Sequence, residues 1–154
     1  MTWSHNPDNP ALAMTMTLKH RILLVEDDEA VRSVLRRGLE RAGYEVREAG
    51  EGGAALKLLA SGPADLVVTD LVMPKMEGIE FILTLRKTQP RLPAIAISGG
   101  GRVDGNRYLE IASHLGATRV LAKPFAIEQL IALVQELIGS PPADAPSGKP
   151  IPGG

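Results

Sequence analysis

The sequence predicts an α/β fold in which five strand and helix pairs build one parallel sheet covered by helices on both faces. Three observations carry this. Short apolar runs alternate with helix-period stretches from His20 to Gly139, as in successive βα units. Three of the runs, Ile22 to Val25, Leu66 to Val68 and Ala94 to Ile97, are apolar without interruption, as strands buried on both faces must be. The chain has 154 residues, enough for one domain with a real core and its tails.

Taken in order, Ile22 to Val25 forms the first strand. In the following helix Val31, Val34, Leu35, Leu39 and Ala42 mark one face, and Gly43 supplies a C-terminal stop. Glu45 to Ala49 alternates charged and apolar residues, which suits an edge strand with one face partly wet. Weaker helical patterns cover roughly Gly53 to Ala60, Glu77 to Lys87 and Asn106 to Leu115. They separate the second, third, fourth and fifth strands, the last ending in LAKPF. In the final helix Ile127, Leu130, Ile131, Val134, Leu137 and Ile138 share a face before Gly139. Leu133 lies off that stripe and is read as a candidate for a dimer or partner surface.

The organisation read from these patterns is an N-terminal extension over 1–17, a folded domain over 18–139 and a flexible tail over 140–154. The extension, MTWSHNPDNPALAMTMT, is expected to be disordered from its Pro, Asn and Ser content, and the tail, SPPADAPSGKPIPGG, has a Pro and Gly content that cannot supply a packed core.

Composition narrows the function classes. Seventeen Lys and Arg against eighteen Asp and Glu leave a formal charge of −1, with 3% aromatic residues. This gives no footprint for nucleic acid or an anionic membrane and no stacking platform for single strands. The absence of Cys excludes disulfides and thiolate chemistry and fits a reducing compartment. No run of eighteen apolar residues and no signal-peptide pattern is present, so the expected location is the cytoplasm.

Chemistry concentrates at the strand ends. Glu26 and Asp27 follow the first apolar strand and Asp70 follows the third. Ligands of open α/β sheets bind outside the carboxyl ends of strands, where the strand order reverses, so the three carboxylates can converge. Two unit charges about 4 Å apart repel by roughly 4 kcal/mol at an effective dielectric near 20. Such a cluster needs a cation or a proton. Hard oxygen ligands suit Mg²⁺, which takes one or two carboxylates and then phosphate oxygens. Ser98 after the fourth strand and Lys123 after the fifth add a hydroxyl and an ammonium at the same end. Each residue also has a plain reading: acids of EDDE as first-turn residues favoured by the helix dipole, Asp70 as a turn residue, Lys123 as a solvated lysine. Their joint occurrence at successive strand ends favours one site.

With these residues assembled, the chain from about Leu18 to Gly139 resembles the receiver domains of bacterial two-component response regulators. ILLVEDDEAVR is similar to the family's first strand and acidic pair, DLVVTDLVMPKMEGIE to its phosphorylation loop, AIAISGG to its hydroxyl strand and VLAKPF to its lysine strand. The resemblance implies a flavodoxin-like doubly wound sheet of order 2-1-3-4-5. It implies that Asp70 is the phosphoacceptor and that Mg²⁺ is held by Asp27, Asp70, the Val72 backbone carbonyl and, through a water, Glu26. Ser98, the Gly99 backbone amide and Lys123 would bind phosphoryl oxygens. Arg32, five residues after Asp27, supports this register over one using Asp27 and Asp28.

The partners so implied are a sensor histidine kinase or histidine phosphotransfer protein as donor and a downstream protein as reader. A homodimer would use the face of the fourth predicted helix, the fifth strand and the last helix. The expected protein is a single-domain regulator with no DNA-binding output domain. It assists its own phosphorylation and dephosphorylation without being a turnover enzyme. Rival readings are a Mg²⁺-dependent aspartyl-phosphate phosphohydrolase, which typically carries DxD after the first strand where this chain has EDDE, and a pseudo-receiver that only binds partners.

Two departures from the family stand out. Val120 occupies the position, three residues before the lysine, where many receivers carry Tyr or Phe. The Gly-rich SGGGRVDGN segment after Ser98 is therefore the expected mover on phosphorylation. Val72 and Gly100 cannot orient an attacking water through their side chains, which predicts slow autodephosphorylation. A GxxxxGK motif is absent, so SGGGR is not read as a nucleotide loop, and His5, His20 and His114 show no metal spacing.

Overall fold

The computed structural model describes residues 20–71, 78–98, 114 and 116–141. Within these the chain runs β1 (Arg21–Val25), α1 (Glu29–Arg41), β2 (Glu45–Ala49), α2 (Gly52–Ser61), β3 (Leu66–Asp70), α3 (Gly78–Thr88), β4 (Ala94–Ser98), β5 (Arg119–Ala122) and α4 (Ile127–Ile138). The helix predicted over Asn106 to Leu115 lies, apart from His114, outside the described residues, as do the N-terminal extension and all but the first two residues of the tail.

All five strands are parallel, in the order β2-β1-β3-β4-β5. The uninterrupted apolar runs become the three inner strands, and the alternating Glu45–Ala49 becomes an edge with only Ala49 buried. Strand side chains alternate between faces, and this divides the core in two. Ile22, Leu24, Leu66, Val68, Ile95 and Ile97 pack with Leu35 and Leu39 of α1 and Leu130 and Val134 of α4. Leu23, Val25, Val67 and Ala94 pack with Ala55 and Leu59 of α2 and Phe81 and Leu85 of α3. Most of these are fully buried, and each large one contributes about 1.5–3 kcal/mol relative to exposure. A smaller group of Leu71, Ile82, Ala96 and Ala117 continues this packing towards β5.

Local signals set the helix ends that matter for the site. Asp28 caps α1, its Oδ1 accepting the Val31 N–H at 3.1 Å. At the other end Gly43 has φ +103°. Its N–H donates to the Glu40 carbonyl and that of Tyr44 to the Leu39 carbonyl, a Schellman closure that needs a left-handed residue at this position.

Two expectations are corrected. Val34 is not on the packing face of α1 but 62% exposed. The helix docks through Val31, Leu35, Leu39 and Ala42, and a residue one before Leu35 is turned away by about 100°. Leu133 is not a free surface leucine: it lies three residues after Leu130 and is half-buried against the core of α1 and α4. Packing also continues past α4. The Tyr44 hydroxyl donates to the Gly139 carbonyl at 2.7 Å, and the Pro141 ring lies against Gly43.

Candidate functional site

Parallel strands all end on one side of the sheet, so the segments leaving β1, β3, β4 and β5 meet there. Glu26 and Asp27 come directly after β1, Asp70 closes β3, Ser98 closes β4 and Lys123 follows β5. Because β1 and β3 are neighbours, the sequence gap between the acidic pair and Asp70 vanishes in space. One ligand oxygen from each of Glu26, Asp27 and Asp70 lies within 4.8 Å of the others. Glu26 and Asp70 are buried, at 2% and 7% exposure, whereas Asp27 is open to solvent.

Among the described residues Lys123 stands beside this cluster. Its Nζ lies 3.3 Å from Glu26 Oε1 and 3.6 Å from Asp70 Oδ2. Its backbone N–H donates to the Ser98 carbonyl at 2.9 Å, which ties the turn after β5 to the buried end of β4. Among the described residues Lys123 pairs with two of the three carboxylates, and the imbalance shows in Glu26. Burial, and then the negative charge of Asp70, raise its pKa to about 7 against the opposing pull of the Asp28 amide and Lys123. A divalent cation would relieve the same imbalance, and an all-oxygen donor set with one exposed member fits a hydrated hard ion such as Mg²⁺.

The EDDE acids separate into different jobs. Asp28 serves the helix as its N-cap, while its N–H donates to Glu26 Oε2 at 3.1 Å. Arg32 reaches back from α1, donating from Nη1 to the Glu26 carbonyl at 2.8 Å and from Nε to Glu48 on β2 at 3.1 Å. The chain carrying the acidic pair is thus held from both its own helix and the neighbouring strand.

Gly78 is a residue that the sequence patterns did not single out. A Cβ there would stand 2.1 Å from the Asp70 carbonyl oxygen and 2.4 Å from the Leu71 Cα, both backbone atoms that cannot swing aside. Its N–H donates to the Leu71 carbonyl at 2.8 Å. The only trace in the sequence is a glycine at a helix start, which by itself has no such meaning. Val120 sits opposite Ala96 on β5 and packs, half-buried, on the group of Leu71, Ile82 and Ala117. Val72 and Gly99 fall outside the described residues.

Known proteins share this arrangement. The family profile of the response regulator receiver domain matches residues 22–135. The response regulator MprA of Mycolicibacterium vanbaalenii is 40% identical over 129 residues, covering 84% of this chain and 54% of that protein. The DNA-binding transcriptional regulator NtrC of Bradyrhizobium is 36% identical over 122 residues, covering 78% of this chain and 24% of that protein. The chain therefore spans about half of the first relative's length and a quarter of the second's. Among solved structures, the chemotaxis protein CheY4 of Vibrio cholerae superposes with a TM-score of 0.69 at 28% identity, covering 77% of this chain and 98% of that one. The receiver domain of NtrX from Brucella abortus gives 0.72 at 27% identity, covering 76% and 97%. The fold, the strand-end site and these matches together place the chain in the response regulator receiver domain family of two-component signalling.

Proposed function

We propose that this chain is a phosphorylatable receiver that takes a phosphoryl group onto Asp70 from a phosphohistidine. The observation that carries the reading is the meeting of Glu26, Asp27 and Asp70 within 4.8 Å, with Lys123 3.6 Å from Asp70. In the transfer a carboxylate oxygen of Asp70 attacks phosphorus in line, the P–N bond breaks, and the electron pair leaves with the imidazole nitrogen of the donor. Lys123 is already in place, so it shifts its ammonium towards the phosphoryl oxygens without crossing the site. The Ser98 hydroxyl and the Gly99 amide donate to the remaining oxygens. Asp27, Asp70 and the Val72 carbonyl would hold Mg²⁺ directly and Glu26 through a water; the bound ion supplies charge neutralisation in the transition state.

Asp70 is consumed and regenerated as part of a signal, so the chain is a phosphoacceptor that assists its own modification rather than a turnover enzyme. Phosphorylation adds about −1.5 to −2 charges, read by protein contact. Val120 has no ring to swing, so coupling from Ser98 to the surface does not use an aromatic relay at this position.

The test is labelling of the full chain by acetyl phosphate in Mg²⁺, and then transfer from candidate histidine kinases. Wild-type protein takes the label and Asp70→Asn does not. No label on either protein would favour a binding module alone. Label retained in Asp70→Asn, with phosphate-monoester turnover lost in Asp27→Asn, would favour a phosphohydrolase.

A further inference from the structure

Thr69 is fully buried beside Asp70, and phosphoryl transfer makes no direct use of it. Its ladder partners are Val25 on β1 and Ala96 on β4, and the residues before it on β3 are apolar. Valine has the same branched shape and suits a central strand at least as well, so packing does not call for the hydroxyl. Burying a hydroxyl is unfavourable unless it is hydrogen-bonded. Thr69 Oγ1 donates to the Asp70 carbonyl at 2.9 Å.

That carbonyl belongs to a peptide held from several sides. Its N–H end, on Leu71, donates to the Ile97 carbonyl across the ladder at 2.9 Å. Gly78 lies flush against the oxygen, where any Cβ would collide. The Leu71 carbonyl accepts the Gly78 N–H at 2.8 Å. Tilting the peptide between Asp70 and Leu71 rotates the Asp70 side chain about its own Cα, and a burial this tight leaves the carboxylate little room to compensate.

We infer that Thr69 is a positioning residue for the phosphoacceptor: its hydroxyl sets the plane of the Asp70–Leu71 peptide, and through it the direction in which the carboxylate meets Glu26, Asp27 and Lys123. The inference rests on the reading of Asp70 as phosphoacceptor. It distinguishes Thr69 from a packing residue, because the isosteric Thr69→Val keeps the shape and removes only the bond, while Thr69→Ser keeps the bond.

The experiment measures acetyl phosphate labelling of the full-length variants in saturating Mg²⁺ as the phosphodonor is varied, together with hydrogen exchange at the Leu71 amide. In Thr69→Val the maximal labelling rate falls about tenfold at an unchanged half-saturating donor concentration, as expected for a misdirected reactive group. The Leu71 amide exchanges faster in that variant, and Thr69→Ser returns both readouts towards wild type. Folding of each variant is checked by its melting transition. A folded Thr69→Val labelled at the wild-type rate overturns the inference, as does a folded Thr69→Ser as slow as the valine variant. A wild-type chain that takes no label overturns the phosphoacceptor reading and this role with it. Exchange at Leu71 still shows in that case whether the hydroxyl holds the peptide.

Discussion

The two ends of the sheet contrast sharply. At the amino end polar groups close on one another: Asp65 accepts the Arg21 backbone N–H at 2.7 Å, Thr118 Oγ1 accepts the Ala94 N–H at 3.1 Å, and Arg86 donates to the Pro90 and Leu92 carbonyls. At the carboxyl end three carboxylates meet, two of them buried, and Lys123 pairs with those two. Both ends carry charged side chains, yet among the described residues only the carboxyl end brings three carboxylates within 4.8 Å of one another. Unsatisfied polarity does not separate the ends, since Arg21 Nε and Arg86 Nε at the amino end are buried without a hydrogen-bond partner; the gathering of like charge at the carboxyl end does, and such clusters concentrate at functional sites.

The largest expected effect tests how rigidly that end is built. Gly78→Ala must move the backbone at Asp70 or Leu71, and overpacking of this kind destabilises by about 3 kcal/mol or more. Denaturant unfolding should show this loss. Gly53→Ala in α2, where a Cβ meets nothing within 4 Å, should gain about 0.5 kcal/mol by the helix propensity of alanine.

The burial of Glu26, with Asp70 beside it, predicts a pH dependence. Glu26 has its folded pKa raised from 4.5 to about 7, so between these values the folded state keeps a proton that the unfolded state has lost. Its contribution is therefore full below pH 4.5 and is lost as pH rises through 7, a decline of about 3 kcal/mol in metal-free protein. Glu26→Gln should flatten that slope. Added Mg²⁺ should stabilise wild type at neutral pH and have little effect at pH 4.5, as read from melting temperature.

A smaller effect separates the neighbouring acids. Asp28→Ala removes the α1 cap and should cost about 1 kcal/mol while leaving Mg²⁺ stabilisation in place. Asp27→Ala should abolish Mg²⁺ stabilisation with the cap intact. The smallest expected change is at the closed end: Asp65→Ala breaks a half-exposed pair with Arg21, should cost under about 1 kcal/mol, and should leave labelling of Asp70 unchanged. A labelling defect there would break the contrast between the two ends.

Much of the fold and the site was legible in the sequence because the signals are local. Continuous apolar runs set the three inner strands, the alternation over Glu45–Ala49 set the edge, and the acids, hydroxyl and lysine could be placed by their position after each run. What escaped involved distance or direction. Val34 and Leu133 read wrongly because a helical stripe gives an angle, whereas burial depends on what stands opposite it. Asp28 was set apart from the acidic pair only by the register that Arg32 implies, and its work as the helix cap came with the structure.

The sequence by itself determined the order of the described strands and helices along the chain and the candidates for the chemistry, since apolar periodicity and residue type need only neighbours along the chain. That β1 and β3 lie side by side followed from the family resemblance rather than from any local pattern, and tertiary structure alone decided that Gly78 abuts the Asp70 carbonyl and that Thr69 bonds to the same atom. These are contacts between surfaces brought together by burial of the two cores, and no local pattern encodes a distance across a sheet.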